Sequence, residues 1–154
     1  MEFLLLLSAN DKEIMDLIYK TGFSVEENTP LCLLGDKFFG FYKKKQQTVV
    51  ICTKNAMKVG GYSIPKNRIH DDYNQTSIYI RRALRHEAVH VAQSCNNGKP
   101  LKMNGEKGYK LHPYKIDALK NSTMLSGNRE KEYEAYWMED RPKLVIKSLK
   151  KYCL

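Results

Sequence analysis

Five residues, His86-Glu87-Ala88-Val89-His90, constrain this chain more than any others. Residues four apart on an α-helix lie on one face, one turn above the other. His86 and His90 can therefore aim imidazole nitrogens at a single ion, at the roughly 2.0–2.1 Å of a zinc–nitrogen bond. Glu87 follows the first histidine by one position. From there its carboxylate reaches a metal-activated water without being a ligand, which is the place of a general base. A helix whose two histidines bind nothing is the plainer reading of the same residues, so the flanking sequence must discriminate.

That flank reads as a helix. No Pro or Gly interrupts Thr76 to Asn97, and Ile80, Ala83, Leu84, Ala88 and Val91 recur at three- and four-residue steps. Thr76 or Ser77 caps the start, and Asn96-Asn97-Gly98 with Pro100 ends it. The motif thus sits late on a helix of about 18–20 residues. Arg81, Arg82 and Arg85 are expected on its solvated face.

Two histidines and a water leave zinc one protein ligand short. The run Arg129 to Asp140 follows Ser126-Gly127-Asn128, a turn and cap, and is free of Pro and Gly until Pro142. A carboxylate on this second helix, facing the first, completes a His-His-Glu site. The same glutamates would also suit a solvated helix face.

Here the chain resembles a known group. HExxH followed by a later helix carrying Glu-x-Glu-Ala is the arrangement of gluzincin-type metallopeptidases. The strings His86 to Gln93 and Glu132-Tyr133-Glu134-Ala135-Tyr136 are similar to small HExxHxxQ…ExEA proteins of bacteria and their viruses. The resemblance covers about a fifth of the chain. It implies zinc held by His86, His90 and Glu132, with Glu87 activating water, Glu134 as the reserve ligand, and a peptide or protein substrate. It also implies a zincin-like fold with an edge strand lining the cleft above the metal. Several gluzincins place an Asp directly after the Ala. This chain has Tyr136, so Tyr136, Asp140 or a backbone carbonyl is expected to support a ligand histidine.

Other metal classes fit less closely. A metzincin needs Gly at 93 and a ligand at 96, where this chain has Gln93 and Asn96. DNA-associated proteases of the SprT kind use a distant third histidine, and His112, in a loop entering another helix, could take that part. Tyr133, Tyr136 and His112 are the candidate oxyanion donors. His112 is equally well a solvated loop residue, and His70 matches no ligand pattern.

A chain of 154 residues is read as one domain, residues 1–154. The apolar run Phe3 to Leu7 is shorter than the about 7–15 residues of a secretory core and follows Glu2, so it reads as a buried strand or helical turn. No segment approaches the roughly 20 apolar residues of a membrane span. Cys32, Cys52, Cys95 and Cys153 form no C-x-x-C pair, and buried free thiols in a reducing cytoplasm are the expectation. The net charge of +9 favours acidic partners or nucleic acid, but no phosphate loop or nucleic-acid motif supports that partner.

The remaining pattern is α+β, a small antiparallel sheet beside a helical half. A helix is expected over 11–20, with Ile14, Leu17 and Ile18 inward. Strands are expected at Phe38–Tyr42 and Thr48–Thr53, joined by a lysine turn, and at Tyr62–Ile64. Residues 96–112 read as a loop, and three helices follow over about 113–125, 128–139 and 140–152. A zinc metallopeptidase is the leading functional expectation. The alternatives are a catalytically weak zincin-fold binding or regulatory protein, and a basic nucleic-acid-associated module.

Overall fold

The structure, a computed structural model, describes residues 1–61, 75–103 and 110–154. Phe3 to Leu7 lies largely in a 3-10 turn, Glu2–Leu6, that buries Phe3 and Leu6. Helix α1, Ala9–Lys20, starts at a reciprocal cap: Asp11 N–H donates to the Ser8 hydroxyl, and Ser8 N–H donates back to the Asp11 carboxylate. Ile14, Leu17 and Ile18 face inward as their spacing requires, joined by Met15.

The sheet departs from the expected antiparallel one. It is a three-stranded mixed sheet of order β1-β3-β2, with β1 at Ser24–Glu27, β2 at Gly40–Lys43 and β3 at Thr48–Ile51. Strand β2 pairs antiparallel to β3 across the lysine turn, whereas β1 pairs parallel to β3. β1 has one buried apolar residue, Val25, and so carried almost no strand signal. It is held by Glu27, whose carboxylate accepts from Phe3 N–H (3.2 Å) and from the Thr53 hydroxyl (2.7 Å). The central strand β3 is buried along its whole length, the pattern of a strand covered on both faces. The expected strand at Tyr62–Ile64 and the loop around His70 lie outside the described residues.

Thr53 does not end a strand; it opens helix α2, Thr53–Gly60. A Cβ on Gly60 would lie 2.7 Å from Thr76 N, so only glycine lets α2 touch the start of the central helix α3, Gln75–Cys95. A 3-10 turn, Pro113–Lys115, leads into α4, Ile116–Ser126; α5, Arg129–Met138, and α6, Pro142–Cys153, complete the fold. Asn128 caps α5 by accepting from Lys131 N–H. Helix α3 packs against α6, α5, α1, α2 and the sheet. Ile80, Leu84, Ala88 and Val91 are fully buried in the core around it, where a large apolar side chain contributes about 1.5–3 kcal/mol.

Two sequence expectations are corrected here. The α3 arginines are not a solvated face. Arg85 donates to both oxygens of the fully buried Asp11 (2.6 and 3.1 Å), Arg81 donates to Leu6 O (2.7 Å), and Arg82 pairs with Asp140 (2.8 Å). The cysteines are not free thiols either. Cys32 is bonded to Cys52 and Cys95 to Cys153, which removes the argument for a reducing compartment. The pairs are 20 and 58 positions apart, and only the fold brings them together. No helix among the described residues is long and apolar enough to cross a membrane.

Candidate metal centre

Helices α3 and α5 pack so that His86, His90 and Glu132 converge. Each offers one ligand atom, and these atoms lie within 4.8 Å of one another. His86 Nε2 is 3.0 Å from Glu132 Oε2, and His90 Nε2 is 3.1 Å from Glu132 Oε1. Ligands about 2.0–2.1 Å from a tetrahedral zinc are about 3.3 Å apart, and the two histidine–carboxylate contacts, each to its own oxygen, are near that spacing. Two imidazoles and a carboxylate are also ordinary zinc donors. All three residues are at least nine-tenths buried.

The outer faces of both imidazoles are tied down. His90 Nδ1 donates to Gln93 Oε1 (2.8 Å), whose amide nitrogen donates to Lys131 O (3.1 Å) and Glu134 Oε1 (2.9 Å). This leaves His90 Nε2 as the nitrogen facing Glu132. His86 Nδ1 donates to Glu139 Oε2 (3.3 Å), and Glu139 is paired in turn with buried Lys115 (2.7 Å). The support expected of Tyr136 or Asp140 therefore falls to Glu139. Tyr136 instead sets its ring edge on His86 at 4.3 Å, and Asp140 pairs with Lys115 and Arg82.

The electrostatics favour a cation at the common point. Burial opposes a charged His86, but hydrogen bonds to Glu132 and Glu139 outweigh it and raise its pKa well above the ordinary histidine value. Burial likewise opposes ionisation of Glu132, yet its contacts with the two histidines hold its carboxyl far below the usual carboxylate range. A proton on His86 and a metal ion compete for the same lone pair.

Glu87 lies beside this cluster with its side chain against β2. A Cβ on Gly40 would stand 3.1 Å from Glu87 Cγ and 3.2 Å from its Oε1, so the glycine leaves the carboxylate room that a larger residue would crowd. Burial raises the pKa of Glu87. The cluster opens into a cleft of about 460 Å³. Its lining includes Gly40, Phe41 and Tyr42 of β2, Leu31, Leu34 and Phe38 before it, and Ser122, Leu125 and Lys131.

The alternatives left open in the sequence separate cleanly. Glu134 points away from the metal point and accepts from Leu101 N–H (2.7 Å), Lys102 N–H (2.9 Å) and Gln93. His112 is exposed, packs on the Tyr114 ring at 4.4 Å and lies outside the cluster. Tyr133 accepts from Leu111 N–H, and Tyr136 donates to Ala118 O (3.1 Å). None of these three oxyanion candidates lines the cleft. Sequence reasoning missed Gln93, Glu139, Lys115 and Gly40. Gln93 stands one turn after His90 and Glu139 two turns after Glu132, so their helical phase was available as a signal.

A domain family described only as a domain of unknown function matches residues 3–154. The chain belongs to the DUF8637 family. No curated protein and no solved structure matches this DUF8637 chain.

Proposed function

We propose that this DUF8637 domain is a zinc-dependent metallopeptidase of zincin-like fold, acting on a peptide or protein substrate. The observation that carries the reading is the convergence of His86 Nε2, His90 Nε2 and Glu132 at the base of a cleft, with the Glu87 carboxylate beside them. Zinc, when bound, supplies Lewis acidity that activates water and polarises a carbonyl. His86, His90 and Glu132 hold it. Glu87, its basicity raised by burial, takes the proton from the attacking water and delivers it to the leaving amine. Gln93 and Glu139 keep the imidazoles in register through their Nδ1 atoms.

An extended substrate has a place to lie. Phe39 O accepts from Cys52 N–H, so residues 39, 41 and 43 exchange hydrogen bonds with β3, and the alternation of an antiparallel pair turns the backbone groups of Gly40 and Tyr42 outward. That outer edge borders the cleft, and a peptide can pair with it as an added strand. The reading is tested by elemental analysis and hydrolysis together. Wild type is expected to carry about one zinc per chain and to cleave an unfolded protein. Glu132→Ala is expected to lose the metal, while Glu87→Gln keeps it and loses cleavage. A metal-free wild type that zinc cannot load would overturn the proposal, as would full activity in Glu87→Gln.

A further inference from the structure

The cleft has an apolar wall for which the proposed hydrolysis has no use. It comes from the segment between β1 and β2, where a 3-10 turn, Pro30–Leu34, precedes the edge strand. Leu31, Leu34 and Phe38 line the cleft from this segment, and Leu125 lines it from the end of α4. Leu34 and Leu125 are 59% and 55% exposed, a large apolar cost to leave in water beside a polar centre. The wall is fixed in place. Asn55 Nδ2 donates to the carbonyls of Cys32 (2.8 Å), Gly35 (3.1 Å) and Phe38 (2.9 Å), and Cys32 is bonded to Cys52 at the end of β3. An anchored apolar surface is preorganised and loses little freedom when something binds to it.

Its position says what binds. The same cleft holds His86, Glu87 and Glu132 and borders the outward backbone groups of Gly40 and Tyr42. A chain that reaches the metal point along that edge carries a side chain past Leu31, Leu34 and Phe38. We infer that these residues form a selectivity site for a bulky apolar side chain, Leu, Met or Phe, flanking the bond to be cut. This rests on the peptidase reading for the cut, but not for the binding.

Two measurements separate the inference from that reading. Zinc-loaded wild type is incubated with a synthetic library of unstructured peptides, and cleavage positions are read by mass spectrometry. Zinc-loaded Glu87→Gln is used to retain peptides from the same library. Enrichment of bulky apolar residues next to the cut, and in the retained set, is expected at on the order of ten- to a hundredfold, the discrimination an apolar pocket supplies. The Leu31→Ser/Leu34→Ser pair should abolish the enrichment while keeping its zinc. Leu33→Ser should keep the enrichment, since Leu33 sits on the same turn, is 87% exposed and does not line the cleft. Cleavage with no apolar preference overturns the selectivity site and leaves the peptidase standing. Apolar-selective retention without cleavage supports the site and overturns the peptidase. Neither cleavage nor retention overturns both.

Discussion

Gln93 Nε2 donates to Glu134 Oε1 at 2.9 Å, joining the helix that carries the two histidines to the helix that carries Glu132. The other end of the same amide accepts from His90 Nδ1. One neutral side chain thus sets both the tautomer of His90 and the spacing of two helices. Removing a partner of this kind costs metal affinity rather than metal identity. Gln93→Ala is expected to bind zinc on the order of 10–100-fold more weakly while still folding, as read by competition against a chromogenic chelator.

Glu134 should behave differently. Its carboxylate accepts from two backbone N–H groups and from Gln93, and Glu134→Ala strands these donors in a buried setting. A loss of about 3 kcal/mol in denaturant unfolding is expected, with zinc stoichiometry unchanged. Loss of zinc from a folded Glu134→Ala protein would make Glu134 a ligand and displace Glu132 from that role.

Gly40 leaves room for the Glu87 carboxylate. Gly40→Ala places a methyl group 3.1–3.2 Å from it and 3.3 Å from Val50 O, so Glu87 must give way. The variant is expected to fold and hold zinc, with hydrolysis reduced severalfold, because the carboxylate needs to shift by less than the about 1 Å that costs on the order of a hundredfold. Unchanged hydrolysis would show that Glu87 does not act from this position.

Asp11 is fully buried and is met by Arg85 through two hydrogen bonds, with the Arg81 guanidinium nearby. Asp11→Ala also removes the carboxylate half of the α1 cap, leaving the Ser8 hydroxyl on the residue 11 N–H, and leaves the Arg85 guanidinium without its carboxylate. About 3–5 kcal/mol of stability should disappear, seen as a clear drop in the thermal midpoint. A surface-sized effect below about 0.5 kcal/mol would mean that Arg85 finds water instead.

The purified chain should alkylate at no cysteine unless first reduced. The loops closed by the two bridges, 20 and 58 positions long, correspond to about 3 and about 4 kcal/mol of chain-entropy stabilisation. Cys95→Ser/Cys153→Ser should therefore unfold at lower denaturant than Cys32→Ser/Cys52→Ser. Free-thiol titration of four cysteines in the native protein would contradict both pairings.

Most helices were readable from a local start or stop: Gly22 after α1, Asn128 before α5, and Pro142 at the first turn of α6; the Ser8–Asp11 cap, which starts α1 at Ala9, was not read. The cluster of His86, His90 and Glu132 was legible in part: helical phase puts the two histidines on one face, while Glu132 was picked out by its resemblance-based place three residues before Ala135 rather than by any local geometry. Helix α2 was hidden because it buries only Thr53 and Ala56 and continues a run of β-branched residues without a break. β1 was hidden because its partner lies 24 positions away and its hold is the Glu27 carboxylate rather than apolar alternation. The disulfides and the arginine pairs share that difficulty. Each joins residues that only the packing of α1, α3, α6 and the sheet makes neighbours, as with Arg85 and Asp11 across 74 positions.

Asn55 has two amide hydrogens and three carbonyls to satisfy, so beyond the Cys32–Cys52 bond the wall beside the cleft hangs on one nitrogen atom. Replacing that nitrogen with oxygen, as hydrolytic deamidation does, sets a carboxylate against the carbonyls of Cys32, Gly35 and Phe38. Attraction becomes repulsion at three points for a mass change of about one dalton. A stored preparation would then keep its His86–His90–Glu132 cluster and its core while the Gly35–Phe38 end of the wall, beyond the Cys32–Cys52 bond, lets go, which makes chemical ageing at a single helix position a clock for the cleft.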